Sequence, residues 1–97
     1  MTRFVVCGET LIDLVQSDAG TNDSFSSTWL ALSAGGPMNS AVALGKLGAD
    51  THFLGRISRD AFGRQLRQHI LEANVKLDLS TESSQATSIA VVSLDAA

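Results

Sequence analysis

The order of predicted elements along this 97-residue chain indicates an α/β fold with parallel strand pairing. Short apolar runs that are typical of strands alternate with two stretches of helical spacing, at residues 37–48 and 61–73. A glycine-rich turn joins the third predicted strand to the first helix. Hydrophobic residues make up 44% of the chain and charged residues 18%, as in an ordinary globular protein.

Two strands are predicted at the N-terminus. Residues 4–8 (FVVCG) form a short apolar run closed by a glycine, the pattern of a strand that is buried on both faces. We therefore expect Cys7 to be a small buried residue, and as the only cysteine it excludes an internal disulfide. Residues 11–15 (LIDLV) continue as a second extended run, whose only charged residue is Asp13.

A loop, a third strand and the first helix follow. Residues 16–28 are rich in Ser, Asp, Asn, Gly and Thr, which favour turns, and residues 29–33 (WLALS) form the next predicted strand. The helix is predicted to begin at Pro37, because the missing N–H of proline has no partner to lose in the first turn, and to end at Gly48. Small and apolar residues form its predicted packing face: Ala41, Val42, Leu44, Gly45 and Gly48.

The second half of the chain is predicted to hold a strand, a helix and a strand. Residues 51–57 (THFLGRI) form the first of these, and Asp60 is placed to cap the helix. The apolar residues of that helix recur every three to four positions: Phe62, Leu66, Ile70 and Ala73. Asn74 stands where a helix often ends in a left-handed conformation. After a polar linker, residues 88–94 (SIAVVSL) form the last predicted strand.

These elements do not complete an α/β domain. A parallel sheet needs helices on both of its faces, and two helices cannot cover a sheet of this width. No closing helix or polar tail follows the strand at residues 88–94. We therefore expect the chain to be the first part of a longer protein, that is, a truncated fold.

Composition and charge exclude several classes of function. The net charge is −3, and only residues 56–76 are basic, with five of the seven Lys and Arg residues. Nucleic-acid binding calls for a strongly basic domain, so we interpret these bases as a solvated helix face and expect no nucleic-acid partner.

Glu9 and Asp13 come too early for a signal peptide, and no apolar run could span a bilayer, which favours a cytoplasmic protein with no membrane partner. His52 and His69 have no cysteine or third histidine nearby, so no metal site is predicted.

The Gly-Lys pair at residues 45–46 suggests a phosphate-binding loop of the form G-x-x-x-x-G-K-[ST]. The pattern fails, because Ser40 stands in place of the first glycine and Leu47 in place of the hydroxyl that binds magnesium. The dinucleotide pattern G-x-G-x-x-G is absent as well. The glycines before the first helix therefore need another explanation.

Gly35 and Gly36 would let a ligand approach the main chain, and Asn39 in the first helical turn offers both hydrogen-bond donors and acceptors. A polyhydroxylated ligand fits this combination, and the N–H groups at the start of a helix favour polar or anionic groups. The alternative is a tight turn between strand and helix, in which the glycines only satisfy backbone geometry.

Asp13 strengthens the ligand hypothesis. A carboxylate among the apolar side chains of a buried strand is costly without hydrogen-bond donors, and sugar hydroxyls are such donors. In an open α/β sheet, ligands gather beyond the carboxyl ends of the strands, where Asp13 and the glycine turn are both expected to lie. The alternative is that Asp13 is an exposed residue of an edge strand or a turn.

Residues 34–63 (AGGPMNSAVALGKLGADTHFLGRISRDAFG) resemble the N-terminal signature of ribokinase-like carbohydrate kinases. Residues 7–15 (CGETLIDLV) resemble the first strand of their fructokinase branch. The resemblance implies a sugar kinase that uses ATP and Mg²⁺, with an α/β domain and a small β lid that closes over the sugar and often forms a homodimer contact. Residues 1–97 would be the N-terminal sugar-binding and lid portion of a single larger kinase domain.

The resemblance also implies roles for individual residues. Asp13 would bind sugar hydroxyls, Gly35 and Gly36 would form the backbone floor of the sugar pocket, and Asn39 would contribute an amide contact. Other positions match the family in a structural role: Gly55, Asp60 and Gly63. The lid strands would come from three segments: residues 11–15, 27–33 and 88–94.

The chain departs from the family at several positions. In the family the catalytic base and the phosphate cradle come from a late Gly-Ala-Gly-Asp motif, which is absent here, so no catalytic residue or ATP-binding residue is assigned in this chain. Leu11 replaces a polar sugar-binding residue of ribokinases proper, which favours a fructokinase-like substrate over ribose. Two rival hypotheses remain open: a kinase for a nucleoside or another small alcohol, and a non-catalytic fragment that binds sugar or dimerises.

Overall fold

The computed structural model describes residues 2–93. These residues contain two helices, α1 (Gly36–Lys46) and α2 (Ala61–Glu72). They also contain seven strands: β1 (Arg3–Cys7), β2 (Leu11–Gln16), β3 (Trp29–Ala34), β4 (Asp50–Leu54), β5 (Arg56–Ser58), β6 (Thr81–Ser83) and β7 (Ile89–Val92). In the described part of the chain, neither helix is long and apolar enough to cross a membrane.

The described strands form three small sheets. β1 pairs with β4 and β5 pairs with β6, both in parallel. In the third sheet the order is β3-β2-β7, with β2 antiparallel to β3 and parallel to β7. The predicted α/β class is therefore confirmed, and the three segments that were expected to form a lid do belong to one sheet.

α1 follows the predicted pattern. Pro37 lies in its first turn, and the chain leaves the helix through Gly48, which has a left-handed φ of 86°. At Gly45 the helix lies directly against the carbonyl oxygen of Ala73, so a larger side chain would not fit there. The buried face of α1 consists of Met38, Ala41, Val42 and Gly45, whereas two residues of the predicted packing face differ: Leu44 is half-buried and Gly48 is exposed.

α2 also begins and ends where the sequence predicts. The Asp60 side chain caps the helix by accepting a hydrogen bond from the Gly63 N–H at 2.8 Å. The predicted stripe of apolar residues faces inward, with Leu66 and Ile70 almost completely buried. Asn74 has a left-handed φ of 63° just after the helix, as expected.

The core lies between the helices and the sheets. Its buried hydrophobic residues are Ile12, Met38, Ala41, Val42, Phe53, Ile57, Leu66, Ile70, Ala73 and Val75. α2 packs near the sheet of β2 and β3, where the Gln65 amide donates a hydrogen bond to the Ala31 carbonyl at 3.0 Å. Because Ile12 points into this core, Asp13 lies on the opposite face of β2.

The expectation that β1 is buried on both faces is wrong. Phe4 and Val5 are 41% and 46% exposed, and Cys7 is exposed as well, not a buried residue. Among the described residues β1 pairs with β4 alone, and α1 packs near it. An apolar run predicts a strand, but its burial depends on which neighbours the rest of a fold provides.

Residues 51–57 form two strands, not the single one predicted. The break falls at Gly55, where a Cβ atom would lie 2.6 Å from the carbonyl oxygen of Gly8, so the chain changes direction at a crowded point. β4 pairs with β1 before the break, and β5 pairs with β6 after it. The polar linker therefore contains a strand that was not predicted.

Of the predicted strand at 88–94, β7 is observed, and Leu94 lies outside the described residues.

A charged cluster lies where β4 meets residues 76–78. His52 is buried, and its Nδ1 lies 2.6 Å from Asp78 while its Nε2 lies 3.3 Å from Asp50. The hydrogen bond from His52 lowers the pKa of Asp78, and the Lys76 ammonium lowers the pKa of Asp50. This cluster ties the edge of the β1-β4 sheet to the segment that follows α2.

Candidate functional site

Two turns meet at the end of β1 and the start of α1. The first leads from β1 into β2, and the second leads from β3 into α1. At Gly8 in the first turn, a Cβ atom would lie 2.6 Å from the Cβ atom of Pro37 in the second. The Thr10 hydroxyl donates a hydrogen bond to the Ala34 carbonyl at 3.2 Å. The two turns therefore interlock and support each other.

The two glycines of the second turn are in different environments. Gly35 has a φ of 121°, and a Cβ atom there would lie 2.8 Å from the Glu9 carbonyl oxygen. Within residues 2–93, and apart from its chain neighbours and the backbone of α1, no atom lies within 4 Å of the position that the Cβ atom of Gly36 would occupy. The turn hypothesis explains Gly35, since both its backbone conformation and its crowding require glycine. It does not explain Gly36, which borders open space.

α1 begins without a side-chain cap. Gly35 occupies the capping position and provides no side chain, while its carbonyl accepts the hydrogen bond from the Asn39 N–H at 2.8 Å. The Asn39 side chain is exposed and has no hydrogen-bond partner within residues 2–93. The first N–H groups of the helix and this amide are thus free to bind a polar ligand.

Asp13 lies in the middle of β2, beside this turn. The pairing register places Leu11 opposite Ala34, and Asp13 is two residues further along, about 7 Å. Its own cross-strand partners are Leu32 and Ala90. The carboxylate is half-buried, and no side chain or N–H group among residues 2–93 pairs with it. A half-buried carboxylate without donors is well placed to accept hydrogen bonds from a ligand.

Three of the four predicted site residues, Gly35, Gly36 and Asn39, lie together at the start of α1, and Asp13 lies on β2 two residues beyond the pair of Leu11 and Ala34 that precedes this turn. Leu11 shares the face of β2 that carries Asp13, because the two are separated by two positions. Trp29 lies on the opposite face of that sheet and donates a hydrogen bond from its ring N–H to Ser27 at 2.7 Å. Trp29 therefore does not stack over Asp13.

Asp60 caps the start of α2, and both of its carboxylate oxygens accept hydrogen bonds from the protein. One carboxylate oxygen accepts hydrogen bonds from the Gly63 N–H at 2.8 Å and the Thr87 hydroxyl at 2.5 Å. The other oxygen accepts the Thr87 N–H at 2.7 Å. These bonds, first of all those from Thr87, lower the pKa of Asp60 to about 2.

Two contributors to this region were not predicted from the sequence. Thr10 is buried under the glycine turn, and Thr87 reaches Asp60 across 27 positions of sequence. No local pattern distinguishes either threonine, because each acts through a partner that is remote in the chain. Within the described part of the chain, no group of three or more His, Cys, Asp or Glu side chains is arranged to hold a metal ion.

Known proteins resemble this chain in sequence and in fold. The family described as pfkB family carbohydrate kinase matches residues 1–97. A fructokinase from Klebsiella pneumoniae is 33% identical over 94 residues, which cover 96% of this chain and 28% of that protein. A 5-dehydro-2-deoxygluconokinase from Photobacterium profundum is 33% identical over 88 residues, covering 89% of this chain and 27% of that protein. The structure of a fructokinase with bound ATP from Xylella fastidiosa has a TM-score of 0.85 and 32% identity, covering 95% of this chain and 29% of that chain.

Proposed function

Because the chain belongs to the pfkB family of carbohydrate kinases, we propose that it is the acceptor-binding N-terminal part of an ATP-dependent sugar kinase with a fructose-like substrate. One observation carries this proposal. The half-buried carboxylate of Asp13 has no partner among residues 2–93, and it lies beside a glycine turn whose second glycine borders open space. Sugar hydroxyls would supply the donors that this carboxylate lacks.

Each site residue has a distinct task in this proposal. Asp13 accepts hydrogen bonds from two neighbouring hydroxyls of the sugar and so fixes its orientation. Gly36 lets the sugar ring approach the main chain. Gly35 gives the turn the backbone conformation that exposes Gly36 to the sugar. Asn39 donates to one hydroxyl and accepts from another. These are binding contacts, and none of them moves a proton.

The family implies ATP and Mg²⁺ as the other participants, and a relative with bound ATP supports the use of ATP. When bound together, they would supply the phosphoryl group and neutralise its charge during transfer. We assign no residue of this chain to either group, nor to the catalytic base. The part of the reaction that falls to residues 1–97 is to bind and orient the acceptor hydroxyl.

The β3-β2-β7 sheet is proposed to act as the lid over the sugar and as the contact of a homodimer in the cytoplasm. β7 is at an edge of the described sheet, and Ile89, Val91 and Val92 are 45%, 66% and 44% exposed. An exposed apolar edge strand is suited to pairing with another chain. Sedimentation of the full-length protein would show a dimer, and a monomer at all concentrations would contradict this part.

Acceptor kinetics of the full-length protein that contains this sequence test the site. We expect Asp13→Ala and Asn39→Ala to raise the KM for fructose at least about tenfold, about 1.4 kcal/mol, with a smaller change in kcat. Asp18→Ala removes a similar carboxylate from the exposed loop after β2 and should leave the KM unchanged. Wild-type sugar kinetics in both site variants would disprove the pocket.

Two further experiments test which acceptor is preferred and whether residues 1–97 have kinase activity on their own. A panel of fructose, other sugars, sugar acids and nucleosides should show the highest kcat/KM with fructose, and a preference for a nucleoside would favour the rival hypothesis. The 97-residue chain by itself should show no sugar-dependent consumption of ATP. Measurable turnover would mean that the catalytic groups are among its own residues.

A further inference from the structure

The edge strand that flanks Asp13 has little burial to hold it in place. β7 pairs with β2, with Ala90 opposite Asp13, and all four of its residues are exposed. Apolar burial supplies most of the free energy that fixes a strand in a sheet, so an exposed strand depends on its ladder with β2 and on the contacts at its ends. The contacts that precede β7 therefore contribute to how firmly the neighbour of Asp13 is held.

Two contacts fix the entry to β7. The Ile12 N–H donates to the Ser88 carbonyl at 3.1 Å and begins the ladder with β2. One residue earlier, Thr87 gives both its N–H and its hydroxyl to the carboxylate of Asp60. Charge-assisted hydrogen bonds of this kind are stronger than neutral ones. The chain is thus clamped to the start of α2 immediately before it passes Asp13.

The same carboxylate also caps α2, and α2 is anchored in the core through Leu66 and Ile70. Asp60 therefore connects a rigid element to an exposed strand. The carboxylate is held ionised, as the pKa of about 2 shows, so the clamp is complete at neutral pH. A cap alone would need one oxygen, whereas the second oxygen of Asp60 accepts the hydrogen bond from the Thr87 N–H.

We propose that Asp60 is a positioning residue for acceptor binding: through Thr87 it holds β7 beside Asp13 and so keeps the acceptor-binding face of the sheet in its productive arrangement. This inference rests on the proposed function, since it gives the clamp a purpose at the sugar site. It assigns to Asp60 and Thr87 no contact with the sugar.

Hydrogen exchange in the full-length protein tests the clamp without any sugar. Asp60→Ser keeps a good capping residue but is too short to reach Thr87, and Thr87→Val removes only the hydroxyl bond. We expect the protected amides of β7 to exchange about tenfold faster in Asp60→Ser and about threefold faster in Thr87→Val, with α2 unchanged. Thr87→Ser should restore wild-type exchange. Thr28→Val, which removes a hydroxyl bond to Thr21 in the exposed loop, is the matched control and should have no effect on β7.

Kinetics of the same variants test the positioning role. We expect Asp60→Ser and Thr87→Val to raise the KM for the acceptor about fivefold with kcat nearly unchanged, and Thr87→Ser to restore it. Unchanged exchange of β7 in a folded Asp60→Ser variant would overturn the clamp. Faster exchange with an unchanged KM would overturn its role in binding. If Asp13→Ala also leaves the KM unchanged, the proposed function itself has failed, which separates the two outcomes.

Discussion

The two helices of this chain begin in opposite ways. α1 begins at Gly35 with no side-chain cap, and beside it Gly36 borders open space. α2 begins at Asp60, whose carboxylate receives hydrogen bonds from Gly63 and Thr87. One helix start is left open to the surroundings, and the other is closed by the protein itself.

This difference distinguishes a helix start that is available to bind a ligand from one that stabilises the fold. Unpaired N–H groups at the start of a helix attract polar ligands, but once a side chain satisfies them they contribute to stability. The family signature contains both helix starts, so a match to the signature does not distinguish the two roles. The environment of each glycine and each carboxylate in the structure does distinguish the two roles.

The largest expected effect contrasts the two glycines at the open start. Gly35→Ala should lower the free energy of unfolding by about 2–4 kcal/mol, because its φ of 121° and its contact with the Glu9 carbonyl both exclude a side chain. Gly36→Ala should change it by less than about 0.5 kcal/mol, since no atom lies near its Cβ position, yet it should raise the KM for the sugar. Urea unfolding and acceptor kinetics measure the two effects.

Equal destabilisation by both alanines would show that Gly36 is a structural residue as well. A Gly36→Ala variant with wild-type stability and wild-type KM would show that nothing approaches this glycine. Either result would remove the contrast between the two positions.

A loss of folding stability of intermediate size is expected from Asp60, at the start of α2, when the pH falls. The folded-state pKa of Asp60, about 2, is below the usual value of 3.8, so the unfolded chain binds this proton more readily. The stabilisation by Asp60 is therefore complete above about pH 5 and is lost as the pH falls from about 4 towards 2. Urea midpoints should decrease over this range, and they should decrease less in Asp60→Asn. The carboxylates of Asp50 and Asp78, whose pKa values are also lowered, contribute in the same direction. An equally steep acid dependence in Asp60→Asn would contradict the assignment.

The smallest effect is expected from the ion pair beside the closed start. Glu82 lies 3.1 Å from Arg59 and 3.7 Å from Arg67, but the side chains of Glu82 and Arg59 are more than half exposed, and the bond to Arg67 is long. Glu82→Gln should therefore change the free energy of unfolding by less than about 0.5 kcal/mol, and added salt should remove even this difference. A larger loss would mean that charge pairing, and not the Asp60 cap, keeps this end of α2 closed.

Local patterns predicted most elements of the fold. The stripe from Phe62 to Ala73, the capping aspartate and the left-handed Asn74 identify α2, because helix spacing and caps are local properties. The resemblance to ribokinase-like kinases is confirmed by the family match and by the similarity to fructokinases. The exposure of β1, the break at Gly55 and the strand β6 were not predicted, since each depends on segments that meet only after folding.

The candidate site divides in a similar way. Asp13, Gly35, Gly36 and Asn39 were found from residue types that are unusual in their local context, and their roles in binding remain predictions. Thr10 and Thr87 were not found, because an ordinary threonine acquires a role only from the carbonyl or carboxylate that folding places beside it.

The sequence by itself determined the fold class, the approximate positions of both helices and the family, because spacing, caps and signature residues are read from neighbours in the chain. Only the tertiary structure decided that the backbone of Glu9 leaves no room for a side chain at Gly35, while Gly36 faces open space. It also decided that the aspartate that caps α2 accepts hydrogen bonds from Thr87, two residues before β7. The reason is physical: steric crowding and hydrogen bonds over long sequence distances arise from packing, which no local pattern encodes.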